Sequence, residues 1–160
     1  MHKVTASGPG WQLTGTALDF LRGRWRADRV LTDFRSGQQG SFAGVAAFTE
    51  HLASAAGPAL AYLEQGELSF GGHHGPASRR LLYLPAGDGA AAVLFADGRP
   101  FYRLDLRSGA CQAEHPCGPD SYLVTVRVLG PDAYLESWRA SGPGKDYEMT
   151  TTLARIGPAA

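Results

Sequence analysis

Gly23-Arg24-Trp25-Arg26-Ala27-Asp28-Arg29-Val30-Leu31 decides the fold. Read with a period of two, it puts Trp25, Ala27, Arg29 and Leu31 on one face of a strand. Just upstream, Thr16-Ala17-Leu18-Asp19 forms a capping box: the Thr16 hydroxyl takes an early helix N–H and Asp19 reaches back. Leu18 and Leu21 share a helical face with Phe20 beside it, and Gly23 stops the helix. A short helix therefore hands over directly to a strand. A tryptophan at that junction can plug one end of a closed β-structure, and Arg155, near the chain end, can cover it when the last strand returns.

Working outward, the period of two persists. Phe42, Gly44, Ala46 and Phe48 share a face of a second strand, joined to the first through Ser36-Gly37-Gln38-Gln39-Gly40. That link is too short for a helical lid. A longer connection from His51 to Pro58 has room for a helical turn. Tyr62, Glu64, Gly66 and Leu68 share the next face, where Gly66 marks a bend or bulge. Arg80-Leu81-Leu82-Tyr83-Leu84 follows, then two runs flanking the hairpin signal Asp97-Gly98-Arg99-Pro100. Cys111 to His115 is a shorter strand, and Pro116 disrupts the alternation beyond it. Tyr122, Val124, Val126 and Val128 alternate cleanly, as do Tyr134, Glu136 and Trp138, and then Tyr147, Met149, Thr151, Leu153 and Arg155. Turns recur roughly every 8–12 residues, the spacing of a sandwich or barrel.

A meander of hairpins exposes two edges unless its first and last strands join. The expected fold is all-β: a single antiparallel up-and-down barrel of about ten strands, with a short N-terminal helix closing one end. Residues 1–14 read as a flexible N-terminal arm, with Trp11 and Leu13 docking it, and residues 15–157 as the barrel domain.

Lys and Arg number 15, Asp and Glu 15, so the net charge is +0. That balance argues against a nucleic-acid surface. No apolar run has membrane-spanning length, and the first residues lack the apolar core of a secretory signal, so a cytoplasmic location is expected. Cys111 and Cys117 are expected to be reduced.

The helix, Gly23-x-Trp25 and Arg155 resemble the lipocalin-type (calycin) arrangement. In it, the tryptophan closes the barrel floor and a late arginine packs across it in a cation–π contact. The strand count resembles the nitrobindin-like branch. Phe20-Leu21-x-Gly23-x-Trp25, Phe95-x-Asp97-Gly98-Arg99-x-Phe101, His115-x-Cys117-x-x-Asp120-x-Tyr122 and Gly142-Pro143-x-Lys145-Asp146-Tyr147 more closely resemble an uncharacterised, largely actinobacterial family of lipocalin-like proteins. The resemblance implies a fold and no established activity. Nitrobindin-like haem binders carry a late axial histidine, whereas nothing after His115 is a histidine. No cofactor is expected.

Three functions stay open. The first is a small-molecule-binding barrel whose ligand is small and hydrophobic, amphipathic or anionic, lined by Arg29, Tyr62, Glu64, Tyr102, His115, Tyr122, Trp138 and Tyr147. Trp25 and Arg155 serve barrel closure. If Arg29 or Arg80 meets Glu64 or Glu136 inside, the interior holds a polar site within an aromatic wall. The second is an enzyme (isomerase, cyclase or hydrolase) with His115 as acid/base beside Asp120 or Tyr122. It requires these groups to converge on one pocket. The third is a dimeric interaction or scaffold module with a filled barrel and an exposed apolar patch. No metal site is expected: His73 and His74 are adjacent, so a strand points them to opposite faces.

Overall fold

The computed structural model describes residues 11–51 and 57–158. The arm expected over residues 1–14 lies largely outside the described residues, as does most of the connection between His51 and Pro58. Of the two docking residues, Leu13 packs against the core, while Trp11 is 46% exposed.

Helix α1 spans Ala17–Leu21 with the capping box in place: Asp19 N–H donates to Thr16 Oγ1 at 3.1 Å and Thr16 N–H to Asp19 Oδ2 at 3.4 Å. The strands follow as β1 (Gly23–Asp33), β2 (Gln39–His51), β3 (Ala59–Phe70), β4 (His73–Pro85), β5 (Ala91–Phe95), β6 (Pro100–Leu104), β7 (Ala110–Cys117), β8 (Asp120–Gly130), β9 (Ala133–Ser141) and β10 (Asp146–Gly157). They form one antiparallel sheet in the order β6-β5-β4-β3-β2-β1-β10-β9-β8-β7.

First and last strands pair along their lengths, from Arg24↔Gly157 to Asp33↔Tyr147. The sheet thus curls into a nearly closed up-and-down barrel whose seam lies between β6 and β7. These edges sit side by side, with the Cys111 thiol donating to the Arg103 carbonyl at 3.6 Å. The ladder of β7 continues through Pro116↔Ser121 to Cys117↔Asp120, so Pro116 does not end the strand. It is tolerated because β7 is an edge and needs no donor on its free side. Gly66 marks neither a bulge nor a break in register. It faces Gly44, where an added Cβ would come within 2.6 Å of the Gly44 Cα, so the pair marks a close approach of two backbones.

The floor is built as the sequence predicts. Trp25 is 0% exposed and its Nε1–H donates to the Leu21 carbonyl at 2.8 Å. Phe20 and Tyr134 flank its ring at 5.4 and 4.9 Å, and the Arg155 guanidinium lies 4.1 Å from the ring centroid. Arg155 also donates to the carbonyls of Phe20 at 2.7 Å and Arg22 at 2.9 Å. These are orphan acceptors at the end of α1, so one side chain caps the helix and covers the plug.

Odd-numbered strands run away from this floor. Above it, Phe48, Tyr62 and Tyr83 pack with ring centroids 4.8 to 5.9 Å apart, beside buried Leu60, Val93, Leu104, Val126 and Val128. This half of the interior is filled.

Trp25→Ala is expected to lower the unfolding free energy by about 3–5 kcal/mol, a cavity left in a site that cannot collapse. Val30→Ala on the outer face should change it by less than about 0.5 kcal/mol. Urea unfolding followed by far-UV circular dichroism measures both.

Candidate functional site

Midway up the barrel, inward alternation brings Arg29 (β1), Glu64 (β3), Arg79 (β4), Glu136 (β9) and Thr151 (β10) to one level. Arg29 forms a fork on Glu64, Nη1 to Oε1 and Nη2 to Oε2, each at 2.7 Å. Its Nε–H donates to Thr151 Oγ1 at 2.8 Å. Tyr62 donates to Glu64 Oε2 at 2.5 Å, and Arg79 Nη2 stands 3.5 Å from the same oxygen and 3.7 Å from Glu136 Oε1. Trp138 Nε1–H donates to Glu136 Oε1 at 2.6 Å. A buried charge survives only when paired and hydrogen-bonded, and this layer supplies both.

The electrostatics follow from that packing. Burial works against the Glu64 carboxylate, but the hydrogen bonds from Arg29 and the charges of Arg79 and Arg29 outweigh it and hold the carboxyl below its ordinary range. Burial likewise opposes the charge on Arg79, and the surrounding Tyr62, Glu136 and Glu64 oxygens more than restore it. Deeper in, burial pushes the phenols of Tyr83, Tyr102 and Tyr134 well above their usual value.

Above the charged layer the barrel is open. A cup of about 290 Å³ lies between β1, β3 and β10, walled by Leu31, Leu68, Phe70, Tyr147 and Met149. From it an aromatic wall runs through Tyr147, Tyr122 and Trp138, with successive centroids 6.4 and 6.3 Å apart, and Trp138 stacks on Arg79 at 5.1 Å. At the rim, Lys145 Nζ donates to the Tyr122 hydroxyl at 2.5 Å. Burial, then the bond to Tyr122, raises the Tyr147 phenol above its ordinary value.

The candidate residues divide by level. Trp25 and Arg155 form the floor. Arg29, Tyr62 and Glu64 are tied to one another within the layer. Tyr102 is too deep for the cup: it is buried and pairs with Val93 of the filled half. His115, Tyr122, Trp138 and Tyr147 converge in the open half; His115 and Tyr122 are directly paired across β7 and β8, their rings 6.3 Å apart. Asp120 does not join them. Its Oδ1 accepts from the Gly144 N–H at 3.2 Å and ties the β9–β10 turn to the β7–β8 turn, so of the two expected partners of His115 it is Tyr122 that stands beside it.

The internal arginine of β4 is Arg79, not Arg80, which is exposed. Leu81-Leu82-Tyr83-Leu84 is apolar on both faces and hides the parity of the strand. The buried pair Leu81 and Tyr83 fixes it once the structure is known. The apolar walls Leu68 and Met149 were legible as inward positions.

A family of unknown function, DUF6314, matches residues 21–155, and the chain belongs to that family. Among curated proteins none matches. Of solved structures, the S-type phycobiliprotein lyase CpeS from Guillardia theta is similar at 12% identity with a TM-score of 0.56, over 87% of this chain and 90% of that one. The redesigned β-barrel mFAP0, bound to DFHBI, matches at 18% identity and a TM-score of 0.45, over 85% and 99%. A de novo designed fluorescence-activating β-barrel matches at 13% identity and a TM-score of 0.46, over 88% and 98%. At these identities the likeness to the lyase is one of fold; the two lower scores carry no argument.

Glu64→Gln strands the Arg29 charge and is expected to lower the unfolding free energy by about 3–5 kcal/mol. The folded carboxyl sits below its unfolded value of about 4.3, so its stabilisation is complete above that pH and is lost as pH falls through the lower folded value. Urea midpoints taken from neutral pH downward should fall steeply there for the wild type and less steeply for Glu64→Gln.

Proposed function

We propose that this DUF6314 protein is a small-molecule-binding barrel that holds an amphipathic ligand in its open half. The observation that carries the reading is the apolar cup of about 290 Å³ standing directly above a buried charged layer. Pockets of this kind, mostly apolar with a few convergent polar groups, are the usual form of small-molecule sites. The ligand's apolar body lies against Leu31, Leu68 and Met149. Its polar part is oriented by Tyr122, Tyr147, His115 and Trp138, with Arg79 at the base. Arg29, Tyr62 and Glu64 act by holding the layer in place. A filled scaffold barrel would leave no such cup. The cytoplasm is the proposed location, where two free thiols at Cys111 and Cys117 suit a reducing compartment.

Titration with the neutral solvatochromic dye Nile red is expected to give saturable binding of one dye per chain. Leu68→Trp, which fills the cup, should weaken it at least about tenfold, or about 1.4 kcal/mol. Absence of saturable binding, or equal binding by the filled variant, overturns the reading.

A further inference from the structure

Among the described residues, one charged side chain lines the cup above the charged layer, that of Asp33. Asp33 continues the inward series Trp25, Ala27, Arg29 and Leu31 of β1, and its partner across the ladder on β10 is Tyr147. Leu31 and Met149 face each other in the same way one step deeper. The lip of the cup therefore carries a carboxylate beside a phenol, while its body is apolar. Phe70 closes the β2 side. It pairs with Gly40, where an added Cβ would come within 2.6 Å of the Phe70 ring, so the bare glycine seats that ring against the β2 backbone.

Charge then selects the ligand. Below the cup, Arg29 and Arg79 are paired with Glu64 and Glu136, so the layer contributes no net charge. The cations at the rim are turned to other partners, and none of them lines the cup. Lys145 Nζ donates to the Tyr122 hydroxyl at 2.5 Å and lies over its ring at 5.1 Å. Arg35 Nη1 donates to the Pro143 carbonyl at 3.1 Å. Arg139 pairs with Asp146 at 2.5 Å and lies over Phe34 at 4.6 Å. Asp33 is held by its own turn, its Oδ1 accepting from the Arg35 N–H at 2.9 Å. That bond, opposed by burial and joined by others from Ser36, holds the carboxyl below the usual aspartate range. The group is thus ionised at neutral pH.

An ammonium group placed between Asp33 and Tyr147 meets a fixed negative charge. It also meets the rings of Tyr147 and Phe70, whose π-faces attract cations. A ligand carboxylate in the same place meets like charge and gives up hydration for it. A neutral ligand gains the apolar contacts alone.

We propose that the cup takes an amphipathic amine, its apolar body among Leu31, Leu68 and Met149 and its ammonium at the lip against Asp33. This names the ligand class of the open half and rests on the reading of that half as a binding site.

Isothermal titration at neutral pH with 1-naphthaleneethylamine, 1-naphthaleneethanol and 1-naphthaleneacetate tests the assignment on the unmodified protein, since the three differ chiefly in charge. The amine is expected to bind one per chain and at least about fivefold tighter than the alcohol, the upper yield of a single solvent-accessible ion pair. The acetate should bind more weakly than the alcohol. Raising the ionic strength should shrink the amine's advantage and leave the alcohol unchanged. Asp33→Asn keeps an acceptor for the Arg35 N–H, so the turn is preserved; near-UV circular dichroism checks the fold. In that variant amine and alcohol should bind alike. Equal binding of amine and alcohol by the unmodified protein, tighter binding of the acetate than of the alcohol, or an amine preference that survives Asp33→Asn overturns the amine assignment alone. So does an absence of amine binding by a protein that takes up Nile red. Failure of Nile red as well overturns the binding-barrel reading beneath it.

Discussion

The interior of this barrel is organised around one buried carboxylate, that of Glu64. An ionised group taken from water needs several donors in return, and those donors come from β1, β3 and β4 together: Arg29, Tyr62 and Arg79. The resulting layer fixes where three strands stand relative to one another and divides the lumen. Below it, aromatic and aliphatic side chains fill the space down to Trp25. Above it, side chains stop short of one another and the cup remains. A barrel serving only as a scaffold would be as stable, or more so, with apolar residues in place of these charges. Their presence next to an open volume is the physical reason for reading the upper half as a site.

The floor makes that asymmetry possible. Arg155 directs its guanidinium to the carbonyls that end α1 and to the face of Trp25, locking the last strand over the helix-to-strand junction. With one end sealed by stacked rings, the interior opens at the opposite rim. The rim turns are tied together by Asp120 and by Arg35, whose Nη1 donates to the Pro143 carbonyl at 3.1 Å. These contacts brace the mouth without filling it.

Much of this was legible in the sequence, for identifiable reasons. The clean alternation of Trp25 to Leu31, Tyr122 to Val128 and Tyr134 to Trp138 groups the residues of each face, and it leaves Arg29 or Arg80 meeting Glu64 or Glu136 as the open pairings, of which the structure makes Arg29 with Glu64. Gly23-x-Trp25 with Arg155 supplies the closure. What stayed hidden depends on parity and depth. An apolar run on both faces of β4 concealed Arg79. Nothing local distinguishes Tyr102, sealed in the packed half, from Tyr122 in the open half; that difference arises from stagger between strands. Asp120 looked like a partner for His115 because spacing along a strand says nothing of a neighbouring turn that reaches over to claim the carboxylate. That β4 outruns β5, whose ladder covers only residues 81–85 of β4, is hidden for a similar reason: hairpin lengths can be guessed, but not the wall they leave uncovered.

The charged layer separates a filled half of the barrel from an open one. Anomalous diffraction from crystals soaked with 1-bromonaphthalene tests it directly. A bromine peak is expected between Leu31, Leu68 and Met149, above the Arg29–Glu64 pair. A peak below that pair, among Phe48, Tyr62 and Tyr83, or a cup occupied by the protein's own side chains, would contradict it.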